Sequence, residues 1–113
     1  PRPTLERSSA ASDVYKRQQE GALRATTLLK SMSNSSRLLI LCILIDKPGT
    51  SSGELGQLTG LTPSATSQHL AKMKDEGLIE SKRVAQKVNY FIKNDAVKKV
   101  ISTLKDIYCP EDC

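Results

Sequence analysis

The chain has no tryptophan, one phenylalanine, three tyrosines and one histidine in 113 residues. So few aromatics exclude a core built on ring stacking and leave Leu, Ile, Val, Met and Ala to fill the interior. A single histidine leaves little acid–base capacity and no multi-histidine zinc site within one chain. The three cysteines, Cys42, Cys109 and Cys113, form no Cys-x-x-Cys pair, and neither a phosphate-cradling glycine loop nor a Ser-His-Asp set is present. An enzyme is therefore the least expected class, and no cofactor is expected. No run of about 18 apolar residues occurs, as a membrane-spanning helix would need. The longest apolar run, LLILCILI from Leu38 to Ile45, is shorter and reads as a buried helix. The N-terminus lacks the apolar stretch of a signal peptide. A cytoplasmic location with no membrane contact is expected, and there the cysteines would be thiols.

The length fits one domain able to bury a modest core. The net charge of +5 and pI of about 9.3 point to an anionic partner. Part of that charge sits in the first eighteen residues. Asp13 to Gln18 reads DVYKRQ, the translation of one frame of a transposon end used in preparing sequencing libraries. Residues 1–18 are read as a non-native or disordered segment, and residues 19–113 as the domain. Four of the 17 basic and two of the 12 acidic residues fall in 1–18, which leaves 13 against 10. Placement of the charge then matters more than its size.

Along the domain, Ala22, Leu23, Thr26 and Leu29 recur at helical spacing over 19–32. A second helix is expected over 35–46, capped by Ser33, Asn34 or Ser35 and so apolar after Arg37 that it belongs in the middle. Lys47-Pro48-Gly49 stops it. Thr50, Ser51 or Ser52 caps a short third helix with Leu55 and Leu58 inward, closed by Gly60 as a left-handed cap. Pro63 opens a fourth helix that ends at Gly77. Two short helices across a Gly-containing turn make a helix-turn-helix. Residues 78–83 and 88–93 alternate around VAQK and read as a β-hairpin with a basic tip. Asn94 or Asp95 caps a last helix to about residue 108, with Val97, Val100, Ile101, Leu104 and Ile107/Tyr108 in one stripe. The class is mainly α with a small β-hairpin wing: a winged helix-turn-helix of order α-α-α-α-β-β-α.

At 100° per residue the fourth helix has two faces. Thr66, Leu70, Met73 and Gly77 fall on the side toward the third helix; Ser64, Ser67, Gln68, Ala71 and Lys72 fall on the other. Short hydroxyl side chains allow close approach and donate to phosphate oxygens. Glutamine can pair with adenine edges, and a helix N-terminus favours phosphate. Such a face suits a recognition helix in the major groove of double-stranded DNA. His69 lies beside it and suits a structural or flanking-phosphate role. At the wing tip Arg83, Gln86 and Lys87 suit the minor groove or its phosphates. The candidate DNA-binding residues are Ser64, Thr66, Ser67, Gln68, His69, Lys72, Arg83, Gln86 and Lys87; Thr66 is counted among them although its angle turns it inward.

The pattern Ser64-x-x-Ser67-x-His69-Leu70-x-x-Met73-x-x-x-Gly77-Leu78-Ile79, with the wing ending in Tyr90, resembles the DNA-binding signature of the ArsR/SmtB repressors. The resemblance covers residues 22–110. It implies a homodimer joined by the first and last helices, bound to an inverted-repeat operator until a chemical signal arrives. Two metal sites familiar in that family find no counterpart: the third helix, SSGELGQL, has no cysteine, and the last helix has no histidine. Cys42 in the second helix and Cys109 at the end of the last resemble the BigR/YgaV/HlyU-type subgroup. That likeness implies redox sensing, in which reactive sulfur species or another oxidant joins the two thiols and DNA is released. Lys105, one turn before Cys109, is a candidate to favour its thiolate. Two other readings stand beside this one: a metal-sensing repressor using Cys42, Cys109 and Cys113, and a winged-helix module that binds protein rather than DNA.

Overall fold

A computed structural model describes residues 9–109 of the chain, with side chains from Asp13 onward. The elements are α1 (Ser9–Met32), α2 (Ser35–Asp46), β1 (Thr50–Ser51), α3 (Ser52–Thr59), α4 (Pro63–Asp75), β2 (Ile79–Val84), β3 (Lys87–Ile92) and α5 (Asp95–Tyr108). They fall into two units, with the boundary after Lys30.

The first unit is the body of α1. It starts at Ser9 rather than near residue 19, so the helix runs through the DVYKRQ stretch. From Asp13 to Thr27 every side chain is exposed, including Leu23, and Leu29 is exposed further along. Thr26 and Thr27 donate their hydroxyls to the carbonyls of Ala22 and Leu23, one turn back. The expected apolar face therefore lies uncovered within this unit.

The second unit, from Ser31, carries the core. Met32, Ile40, Leu41, Leu44, Leu55, Leu70, Met73, Leu78, Ile79, Ile92, Val97 and Ile101 are buried. At about 1.5–3 kcal/mol per fully buried aliphatic side chain, this set holds α2 at the centre with α3, α4, α5 and the sheet around it. The caps are local chemistry. Asn34 Oδ1 accepts from Arg37 N at 3.0 Å, Ser51 Oγ from Glu54 N at 3.3 Å, and Thr62 Oγ1 from Ala65 N at 3.1 Å. Asn94 Oδ1 accepts from Ala96 N and Val97 N. Each such cap is worth about 1 kcal/mol. Gly60 closes α3 at φ 77° and Gly77 follows α4 at φ 79°, both left-handed.

The sheet has order β1-β3-β2, antiparallel throughout. β1 was not expected from the sequence. It is two residues long, and its pairing, Thr50 with Tyr90 and Ser51 with Asn89, is nonlocal, so no alternation marks it. The hairpin lies one residue from the expected strand limits. Val84 faces Lys87, which leaves a tight turn of Ala85 and Gln86 with Ala85 at φ 59°. Among the described residues no single helix is long and apolar enough to cross a membrane.

Candidate nucleic-acid interface and thiol site

α4 is set by its cap, by Pro63 in its first turn and by Leu70 and Met73 in the core. Its free face carries Ser64, Ser67, Gln68, Ala71 and Lys72, all exposed. A shallow groove of about 370 Å³ runs between the first turns of α3 and α4, lined by Ser52, Gly53, Gln57 and Ser67 among others. The exposed strand ends and turn of the wing hold Arg83, Gln86 and Lys87 in solvent. Lys82 sits 5.0 Å from the centre of the Phe91 ring, a cation–π contact that orients part of the wing. Lys74 Nζ donates to Ser81 Oγ at 2.8 Å and ties α4 to β2.

Thr66 requires a correction. It is 1% exposed, and its hydroxyl donates to the Thr62 carbonyl at 2.8 Å. A Cβ at Gly56 would stand 3.1 Å from Thr66 Oγ1, so the residue fills the close crossing of α3 and α4. It cannot reach DNA from there, and the inward angle read from the helix period was the better guide.

His69 is half-buried at the edge of the α4 face. Its Nδ1 accepts from Arg37 Nε at 3.3 Å. Arg37 Nη1 also donates to the Ser31 carbonyl at 2.9 Å and lies 3.6 Å from Glu76 Oε1. Arg37 was not among the candidate residues. Its signal in the sequence was its isolation, as the one charge in the body of an apolar helix.

The thiol pair is placed by α2 and α5. Lys105 Nζ bonds Asp46 Oδ2 at 2.6 Å, with the lysine side chain 15% exposed. Cys42 lies one turn before Asp46 on α2, and Cys109 follows Lys105 by one turn, its N–H bonded to the Lys105 carbonyl at 2.8 Å. Ile45 and Pro48 line a cleft together with Lys98 of the first turn of α5. Burial pushes the Cys42 thiol above its ordinary value; the Lys105 ammonium draws it down, and the Asp46 carboxylate pushes it up again. Lys105 therefore acts on Cys42. Cys42 is a free thiol, whereas Cys109 is disulfide-bonded, so the two are not joined to each other in this structure. Cys113 lies outside the described residues. Among the described residues no three His, Cys, Asp or Glu side chains gather as a metal site would require.

Comparison with known proteins agrees with the geometry. The family described as bacterial regulatory protein, arsR family, matches residues 34–81, from the cap of α2 into β2. The HTH-type transcriptional regulator YgaV of Escherichia coli is 61% identical over 92 residues, 81% of this chain and 93% of that protein. The transcriptional activator HlyU of Vibrio cholerae is 41% identical over 91 residues, 80% and 83% of the two chains. A crystal structure of a predicted DNA-binding transcriptional regulator from E. coli superposes with a TM-score of 0.79 at 58% identity, covering 82% of this chain and 98% of that one. The transcriptional repressor BigR of Xylella fastidiosa superposes with a TM-score of 0.79 at 25% identity, over 88% and 97%. These relatives are transcriptional regulators and not enzymes. The chain belongs to the ArsR family of DNA-binding, winged helix-turn-helix transcriptional regulators.

Proposed function

We propose that this chain is a dimeric repressor whose α4 and wing hold an inverted-repeat operator, and that joining or oxidising Cys42 and Cys109 by reactive sulfur species releases it. The observation that carries the DNA-binding part is the face of α4, small, polar and uncharged at its front with Lys72 further along, together with an exposed basic wing. Ser64, Ser67, Gln68 and Lys72 read or hold the major groove, and Arg83, Gln86 and Lys87 hold the flanking strand. Repression is the direction carried by the name of BigR, whereas HlyU is named an activator; transcription from the bound promoter with and without the chain decides between them. The regulator works in the cytoplasm, where its DNA lies.

Dimer formation is supported by apolar side chains that find no cover: Leu23 and Leu29 on α1, and Ile107 and Tyr108 on α5, are each more than half exposed. Apolar side chains left uncovered on each unit are what a partner protomer would cover.

The thiol switch is supported by the order of four residues. Cys42 and Asp46 on α2 face Lys105 on α5, and Cys109 is the next turn of the same helix. Starting from the reduced chain, a direct bridge removes two protons and two electrons from the two thiols, which the oxidant takes up. Inorganic polysulfide does the same, inserts extra sulfur and is itself reduced to sulfide. A longer sulfur chain suits thiols whose Cα atoms stand beyond the ~7 Å limit of a disulfide. The bridge would fix α5 to α2 next to the Lys105–Asp46 pair and alter how the dimer spaces its two recognition helices. Sedimentation of the reduced chain with a selected duplex tests the first part: two chains per duplex are expected, and a monomer that ignores DNA would sink the proposal. Polysulfide should then release the duplex from the wild type but not from Cys42→Ser or Cys109→Ser. Release from either variant removes the bridge as the switch. Metal bound stoichiometrically by the reduced chain would favour a metal-sensing reading instead.

A further inference from the structure

Arg37 reaches three partners on two elements, α4 and α1. Its Nε–H points at His69 Nδ1 in the middle of α4, its Nη1 lies near Glu76 at the end of α4, and the same Nη1 donates to the Ser31 carbonyl at the end of α1. The Arg37 side chain is 17% exposed, and its bonds to His69 and Ser31 are partly buried, whereas Glu76 is exposed. A guanidinium has only donors and cannot give up its proton. The imidazole nitrogen facing it must therefore be the acceptor, and the proton of the neutral ring must reside on Nε2. No other protein group bonds the His69 ring among the described residues. At 100° per residue the ring stands on the flank of α4 between the exposed Lys72 and the buried Met73, on the Lys72 side of the recognition face.

We propose that Arg37 is a positioning residue for DNA binding: it holds both the middle and the end of α4 and fixes His69 as a neutral Nε2–H donor to a DNA phosphate oxygen. The inference rests on α4 being the reading helix. It gives Arg37 a role that its place in the apolar α2 would hide. It also separates His69 from the cationic contacts: a neutral donor contributes affinity without releasing a counterion, whereas a lysine on a phosphate releases one.

The chain has one histidine, so ¹⁵N-histidine labelling gives a single imidazole to read. In the free protein at mildly alkaline pH the Nε2–H tautomer is expected, and in Arg37→Met a mixture with Nδ1–H. A predominantly Nδ1–H ring in the wild type overturns the proposal without any variant having to fold. DNA titrations of His69→Gln and His69→Asn complete the test. The glutamine amide lies near the imidazole Nε2 and can still donate to phosphate, so affinity is expected close to wild type. The asparagine oxygen lies near Nδ1 and can keep the Arg37 bond, but no donor remains for DNA, and affinity is expected to drop about tenfold with an unchanged salt slope. Equal binding by the two variants overturns the proposal. Gln68→Glu serves as the control on α4 itself. If it weakens binding while His69→Asn does not, only the role of Arg37 and His69 falls. If neither weakens binding, α4 is not the reading helix and both fall together.

Discussion

Lys72 offers a perturbation whose size follows from its position. It is exposed on the free face of α4, one turn beyond Gln68, with no carboxylate paired to it among the described residues. On a phosphate it would release one counterion per protomer, hence two per dimer. Each released counterion contributes about −0.9 to the slope of log K against log salt. Lys72→Gln should therefore flatten that slope by about 1.8. The deficit of the variant should shrink as salt rises, by about sevenfold for each tripling of salt, because 1.8 multiplies the logarithm of the salt ratio. Fluorescence anisotropy of a labelled duplex at four or more salt concentrations reads this directly. Ser67→Ala on the same face should lower affinity with the slope intact, since a hydroxyl releases no counterion. A Lys72→Gln slope equal to wild type would refute the placement of this lysine on the DNA backbone. A slope lost equally by Ser67→Ala would refute the assignment of the face by charge.

Thr66→Val should lower stability by about 1 kcal/mol through loss of the bond to the Thr62 carbonyl while leaving DNA affinity unchanged once folded; urea melts and titration of the same variant check this, and a selective loss of affinity would restore Thr66 as a contact. Alkylation of Cys42, followed by peptide mass in the reduced chain, should accelerate with pH beyond the ordinary thiol range before levelling, because burial raises its pKa, and Lys105→Met should move the profile to still higher pH. The raised pKa favours the protonated thiol in the folded chain, so this contribution to stability is full below the pKa of an unfolded cysteine and is lost as pH rises through that of Cys42. Removal of residues 1–18 should leave the melting of the second unit and its DNA affinity unchanged, since the body of α1 forms a separate unit and the core begins at Met32; a lower melting temperature would show that the segment belongs to the fold.

Much of the architecture was legible because its signals are local. Asn34, Ser51, Thr62 and Asn94 cap helices through atoms three residues away or nearer, and Gly60 and Gly77 take the left-handed conformation that a side chain resists. The α4 periodicity separated Ser64 and Gln68 from Leu70 and Met73 with no knowledge of neighbours. What escaped was nonlocal. β1 exists only because β3 offers it a partner. The contacts of Arg37 cross from α2 to α4, and Lys105 pairs with Asp46 on α2, beside Cys42. Thr66 shows the other kind of miss: the periodicity was right, and counting the residue with its neighbours on the motif was not.

The claim that Cys42 and Cys109 are the two ends of the switch is tested most directly by peptide mass spectrometry of the reduced chain after inorganic polysulfide, on a sample shown to have released its duplex. The account predicts a peptide containing Cys42 joined to one containing Cys109 through a disulfide or a longer sulfur chain, reversed by reductant as DNA binding returns. An unlinked, unmodified Cys42 in a chain that has let go of its DNA would contradict it.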